Sequence, residues 1–98
     1  MASKVIVLDA ALTELEEVAD WYAEINTSLA TDFVEEFTNN VKAIQNKPLN
    51  YPTLNEGFRK CSLKRFPYKI IFKIVANNIL VVAIAHHKRK PNYWKNRK

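Results

Sequence analysis

Cysteine and glycine each occur once in these 98 residues, at Cys61 and Gly57, and each scarcity removes a class of function. A lone cysteine has no internal disulfide partner. Together with the lack of an apolar signal-type segment after Met1, that points to a reduced, cytoplasmic setting. A lone glycine excludes the glycine-rich loops that cradle phosphates in P-loop and dinucleotide-binding folds, so no cofactor is expected. Long apolar runs are missing too. The stretch from Ile70 to Ala85 is interrupted by Lys73 and by Asn77-Asn78 and is too short to cross a bilayer, so no membrane partner is expected. Carboxylates are nearly absent from the second half, where Glu56 stands alone. Magnesium-type nuclease sites need several carboxylates and zinc sites several Cys or His ligands, so no metal site is expected.

The chain that remains is long enough for one core but not for two, and we expect a single domain over residues 1–98. A hydrophobic share of 48% beside 26% charged residues is that of a globular protein, which argues against disorder or a coiled coil. Charge is unevenly divided. Residues 1–50 carry three basic and nine acidic side chains, a net of −6, whereas residues 51–98 carry twelve basic side chains against one acidic, a net of +11. Clustered Lys and Arg gain free energy by releasing counterions from phosphates, so RNA, DNA or an acidic protein becomes a candidate partner. The plain alternative, two oppositely charged solvated surfaces, stands beside it.

Periodicity sets the elements. The β-branched run Lys4 to Leu8 reads as a strand, with Asp9 as the cap of a following helix. From Ala10 to Ile25 the apolar residues Ala11, Leu15, Val18, Tyr22 and Ile25 recur at three and four. Glu14, Glu16, Glu17, Asp20 and Glu24 fill the remaining positions as an acidic outer face. Asn26, Thr27 and Ser28 supply turn and cap chemistry. A second stripe of Ala30, Phe33, Phe37, Val41 and Ile44 then runs until Pro48, giving an antiparallel helical hairpin. Lys47 to Gly57 is a loop. The period then becomes two. Phe58 to Arg65, Tyr68 to Val75 and Ile79 to His86 read as three antiparallel strands, with Phe66-Pro67 at one corner and Asn77-Asn78 as a two-residue hairpin turn. The residues leave open whether the tail from Lys90 to Lys98 is a short helix or a loose arm. The expected fold is α+β, β-α-α-β-β-β, with an N-terminal strand and the helical hairpin packed on one face of a small antiparallel sheet.

On the other sheet face the alternation places Lys69, Ile71, Lys73 and Val75. Arg59, Lys60, Lys64 and Arg65 precede them, and the last strand runs into His86, His87, Lys88, Arg89 and Lys90, so one end of the sheet should be basic. Phe66, Tyr93 and Trp94 either stack on unpaired bases or pack, and for Trp94 a clasp holding the tail is the simpler reading. Cys61 reads as a core residue. Adjacent His86 and His87 face opposite ways, and a one-residue change of register exchanges them. Without a metal, RNA still offers an internal nucleophile, its 2′-hydroxyl. Histidine, tyrosine, lysine and arginine supply the base, acid and charge stabilisation that such cleavage needs.

The stretch F-P-Y-K-I-I-F-K-I from Phe66 to Ile74, the apolar strand after it, and A-H-H-K-R-K-P-N-Y-W from Ala85 to Trp94 resemble the RelE/ParE superfamily of bacterial type II toxins. The first strand, the helix pair and the spacing of Ala30, Phe33 and Phe37 fit the same superfamily. The resemblance implies one of two targets. In the RNA-cleaving branch, toxins cut messenger RNA on the ribosome. There Arg89 matches the arginine after the last strand, Tyr93 the C-terminal tyrosine, and Lys69 the position where an arginine often follows the strand tyrosine. Lysine keeps that charge but loses the bidentate fork. The implied catalytic set is Lys69, His86, Arg89 and Tyr93, with Arg59, Arg65, Lys73 and Lys88 on RNA phosphates. In the other branch the fold persists without a nuclease constellation and the toxin poisons DNA gyrase, and the H-x-x-R pattern of His86 and Arg89 occurs there as well. We expect an mRNA endoribonuclease acting on the ribosome, with gyrase inhibition as the alternative. Either branch implies a cognate antitoxin whose acidic amphipathic segment wraps the domain along the helical hairpin and the sheet edge.

Overall fold

Leu8 ends the first extended run, and the computed structural model, which describes residues 4–97, turns directly there from strand to helix. Strand β1 spans Val5–Val7 and helix α1 Asp9–Ile25. Asp9 is the first helical residue rather than the cap, and its carboxylate lies in the first turn, where the helix dipole favours it. Asn26 caps helix α2 (Thr27–Asn46), its side chain accepting from the Ser28 amide at 2.8 Å and the Ser28 hydroxyl at 2.7 Å. Pro48 ends the hairpin as expected and opens a single 3-10 turn. Strands β2 (Arg59–Ser62), β3 (Tyr68–Val75) and β4 (Asn78–His86) complete the expected β-α-α-β-β-β order of an α+β fold. Among the described residues no helix is long and apolar enough to cross a membrane.

The sheet order is β1-β4-β3-β2. The last three strands form the antiparallel meander, whereas β1 runs parallel to β4, so the sheet is mixed rather than wholly antiparallel. Parallel neighbours need a long connection, and here the helical hairpin and two strands lie between them. The hairpin turn lies one residue earlier than expected. Ala76 and Asn77 hold the two positive φ values, 50° and 67°, and Val75 faces Asn78 across the turn. Asparagine tolerates that conformation; Ala76 adopts it because this register sets Ile74 opposite Ile79 and Phe72 opposite Val81 on the core side.

A bulge corrects what strict alternation would spoil. Ile71 pairs with Ala83 and Phe72 with Val81, leaving Val82 as the extra residue. Unbroken alternation from Ile79 would put Ala83 and Ala85 under the helices and Ile84 outside. The bulge shifts the phase. Ile79, Val81 and Ile84 join Phe33, Phe37, Ile44 and Phe72 in the main core, while Ala83 and Ala85 fall on the opposite face with Ile71, Phe58 and Trp94. Tyr22, Phe33 and Phe66 meet edge to face at 5.0 and 5.3 Å from Phe66, which ties the hairpin to the β2–β3 corner. Glu36 of α2 accepts the backbone amides of Lys64 and Arg65 and fixes that corner from the helix side.

Candidate functional site

Strand β1 covers only part of the edge of β4. Its last contribution is the Leu8 amide, which donates to the Val81 carbonyl at 3.0 Å. Beyond that point the edge of β4 would be left with unpaired backbone groups. Side chains take over. Glu14 of α1 accepts from the Ile84 amide at 3.0 Å, Arg97 donates to the Val82 carbonyl at 2.9 Å, and the Tyr93 hydroxyl lies 3.5 Å from the Ile84 carbonyl.

The carboxylate of Glu14 is also the centre to which the C-terminal tail is bound. Arg97 holds Oε1 at 2.9 Å and Oε2 at 3.2 Å through its two terminal nitrogens. The Tyr93 hydroxyl donates to Oε2 at 2.9 Å, and Arg89 reaches the same oxygen at 3.4 Å. The Arg89 guanidinium lies over the Tyr93 ring, 3.6 Å from its centroid. Glu14 therefore does not belong to the acidic outer face that the sequence suggests: its side chain is 11% exposed. A carboxylate buried this far is tolerable because charged and neutral donors surround it. Burial and the hydrogen bond to Glu14 push the Tyr93 phenol well above its ordinary value, against the opposing pull of Arg89 and Arg97.

Over residues 90–97 the tail is neither helix nor loose arm, and Lys98 lies outside the described residues. Two consecutive turns, closed by Lys95 on Asn92 and Arg97 on Trp94, fold it back against β4. Trp94 is 2% exposed against Ile71, Ala83 and Ala85, so it is the clasp and its ring is not open to a base; Phe66, 6% exposed in the main core, is closed in the same way. The Trp94 indole Nε1 has no acceptor among the described residues, an omission that costs about 1–3 kcal/mol for a buried donor.

The other candidate residues are spread over the surface. Lys69 lies half-buried on the open sheet face opposite Ala85 and Ser62. Lys73, on the same face, sits 4.7 Å over the Phe58 ring. His86 pairs across the strands with Tyr68, its ring edge-on to the tyrosine at 5.0 Å, and its Nδ1 accepts from the Lys88 amide at 3.0 Å. His87, exposed, is the histidine near Lys69; slight desolvation and the charges of Lys69, His86 and Lys60 lower its pKa. Arg59 donates to the Tyr51 carbonyl at 2.7 Å, and Arg65 pairs with Asp32 of α2 at 3.3 Å. Arg89 and Tyr93 are thus brought together, but by Glu14. No hydrogen bond or ion pair among the described residues joins them to Lys69. Cys61 is buried, donates to Asn40 Oδ1 at 3.3 Å, and has its pKa raised first by desolvation, as suits a core thiol. Among the described residues no three His, Cys, Asp or Glu side chains gather as metal ligands would.

Sequence reasoning missed Glu14 and Arg97. A signal existed for the first: Glu14 lies three residues after Ala11 and four before Val18, on the apolar stripe itself. For Arg97 no local pattern exists, since its partner is 83 positions away.

Comparison with known proteins agrees with this architecture. Among solved structures, one described as the chromosomal ParDE TA system from P. aeruginosa superposes with a TM-score of 0.76 at 23% identity, covering 88% of this chain and 96% of that one. That likeness concerns the fold. The search of curated proteins gave no match. Residues 5–91 match the family described as the ParE toxin of the type II toxin-antitoxin system, parDE, and the chain belongs to that family of toxins.

Proposed function

We propose that the chain acts as a gyrase-poisoning toxin and not as a ribonuclease, with a cognate antitoxin as its neutralising partner. The observation that carries this reading is the commitment of Arg89 and Tyr93 to Glu14. A phenol whose pKa is raised by burial and by a carboxylate acceptor is a poor acid near neutral pH. Membership of the ParE family supports the same direction.

The exposed basic surface at the end of β4, formed by Lys88, Lys90 and the half-exposed guanidinium of Arg89, is then the contact for the gyrase–DNA complex. Of the surfaces expected for the antitoxin, the basic sheet is favoured over the helical hairpin. Glu16, Glu17, Asp20 and Glu24 are exposed on α1, so an acidic segment would be repelled there and favours the basic sheet face and tail instead.

Pulse labelling of bacteria within minutes of inducing the chain without its antitoxin tests the reading. Arrest of DNA synthesis and induction of the DNA-damage response, with translation continuing, is the expected result. A prompt fall in translation with cleaved mRNA would return the argument to Lys69, His86, Arg89 and Tyr93 as nuclease groups.

A further inference from the structure

Residues 90–97 are attached to the domain by side chains. The backbone bonds they make, Lys95 to Asn92 and Arg97 to Trp94, close turns within the segment, and among the described residues no backbone–backbone bond joins it to the sheet. Two anchors hold it. On the open sheet face Trp94 packs in an apolar cluster with Phe58, Ile71, Ala83 and Ala85, which is separate from the main core beneath the helices. At the β4 edge Tyr93 and Arg97 bind Glu14, and Arg97 also reaches the Val82 carbonyl. Elsewhere the segment borders open space. A cleft of about 520 Å³ is lined by Thr53, Leu54 and Asn55 of the loop before β2 and by Asn92 and Trp94, and another of about 460 Å³ lies where Arg97 meets Ile6, Leu8 and Asp9. Asn92, just before both anchors, has a φ of 68°, a left-handed conformation that asparagine tolerates and that turns the chain sharply there.

We propose that residues 91–97 are a strap that opens and closes as one unit on an otherwise intact domain, turning at Pro91-Asn92. The two anchors release together, because Tyr93 and Trp94 are adjacent and the Arg97 amide is bonded to the Trp94 carbonyl. Opening takes apart the smaller apolar cluster and the bonds to one carboxylate, and leaves the main core between the helices and the sheet untouched. Against that loss stand the conformational freedom of the released segment and the return to water of the Trp94 indole N–H, which lacks an acceptor when closed. The strap therefore opens at a lower free-energy cost than the domain unfolds. An open strap lifts the Tyr93 ring from the Arg89 guanidinium and uncovers Phe58, Ile71, Ala83 and Ala85; a closed one keeps Arg89 stacked and that patch covered. This holds whichever target the toxin has.

Strand β4 carries both the reporter and its control. The Ile84 amide is bonded to Glu14 at the strap side, whereas Ala83 and Ala85, opposite Ile71 and Lys69, turn their amides towards β3, since backbone groups alternate in direction along a strand. The Trp94 indole N–H reports from the other anchor, and the exposed Trp21 indole supplies the unprotected reference. Native-state hydrogen exchange of the full ¹⁵N-labelled chain would be followed by NMR at neutral pH in increasing, sub-denaturing urea. The expected result is that the Ile84 amide and the Trp94 indole share one opening constant, at least about a hundredfold larger than that of Ala83 and Ala85 and nearly independent of urea, because little surface is uncovered. Arg97→Met should raise the opening constant at both reporters by one common factor, about tenfold to a hundredfold. The measurement on the parent chain needs no variant and stands if Arg97→Met fails to fold. An Ile84 amide that exchanges at the rate and with the urea dependence of Ala83 and Ala85 would overturn the proposal, and so would Ile84 and Trp94 opening with different constants.

Discussion

The two halves of the β4 edge are closed by different means, and the difference explains where this toxin keeps its conspicuous residues. Along Ile79–Val81 the edge is paired with the backbone of β1, which any extended sequence can supply. Around Val82 and Ile84 it is paired with the side chains of Glu14, Tyr93 and Arg97. Backbone pairing is indifferent to residue identity and to salt. The side-chain closure depends on charge, on an intact tail and on protonation. Tyr93 and Arg89, which look catalytic in the sequence, are held in this closure beside Arg97, with Arg89 as the outermost and most exposed member.

Substitutions should expose this contrast. Glu14→Ala strands the Arg97 guanidinium and the Ile84 amide and should cost about 3–5 kcal/mol in urea denaturation, the range for breaking a buried ion pair. The control Glu17→Ala, on the exposed face of the same helix, should stay within about 0.5 kcal/mol. Arg97→Met removes both bonds to Glu14 and the one to Val82 and should cost about 1.5–3 kcal/mol. Tyr93→Phe should cost about 1 kcal/mol through its hydroxyl and carries a pH signature as well. The phenol keeps its proton more firmly in the folded state, so its contribution is complete below the ordinary value of 10.0 and is lost as pH rises above it. Denaturation midpoints of the parent and Tyr93→Phe should therefore converge above that pH. Arg89→Ala, at a long and half-exposed contact, should change stability by less than about 1 kcal/mol while removing toxicity; unchanged toxicity would remove Arg89 from the target contact.

The fold was legible because the period of the hydrophobic pattern changes from helical to alternating after Gly57, and because Asn26 and Pro48 mark the ends of the second helix. Local patterns could not show the bulge at Val82. It is decided by which of Ile84 and Ala83 fits beneath the helices and which leaves room for Trp94. Nor could they show the direction of β1, which depends on pairing with the last strand in the chain. At the site, the basic end of the sheet was legible from charge alone. Its internal geometry was not, since a carboxylate from the acidic half enters the basic half only when α1 packs on β4.

Supercoiling of relaxed plasmid by purified DNA gyrase, with and without the full chain, separates gyrase poisoning from mRNA cleavage. Inhibition with accumulation of cleaved DNA, relieved by Arg89→Ala, and no cutting of mRNA on programmed ribosomes is the expected result. Gyrase running unimpeded while ribosome-bound mRNA is cut would contradict it.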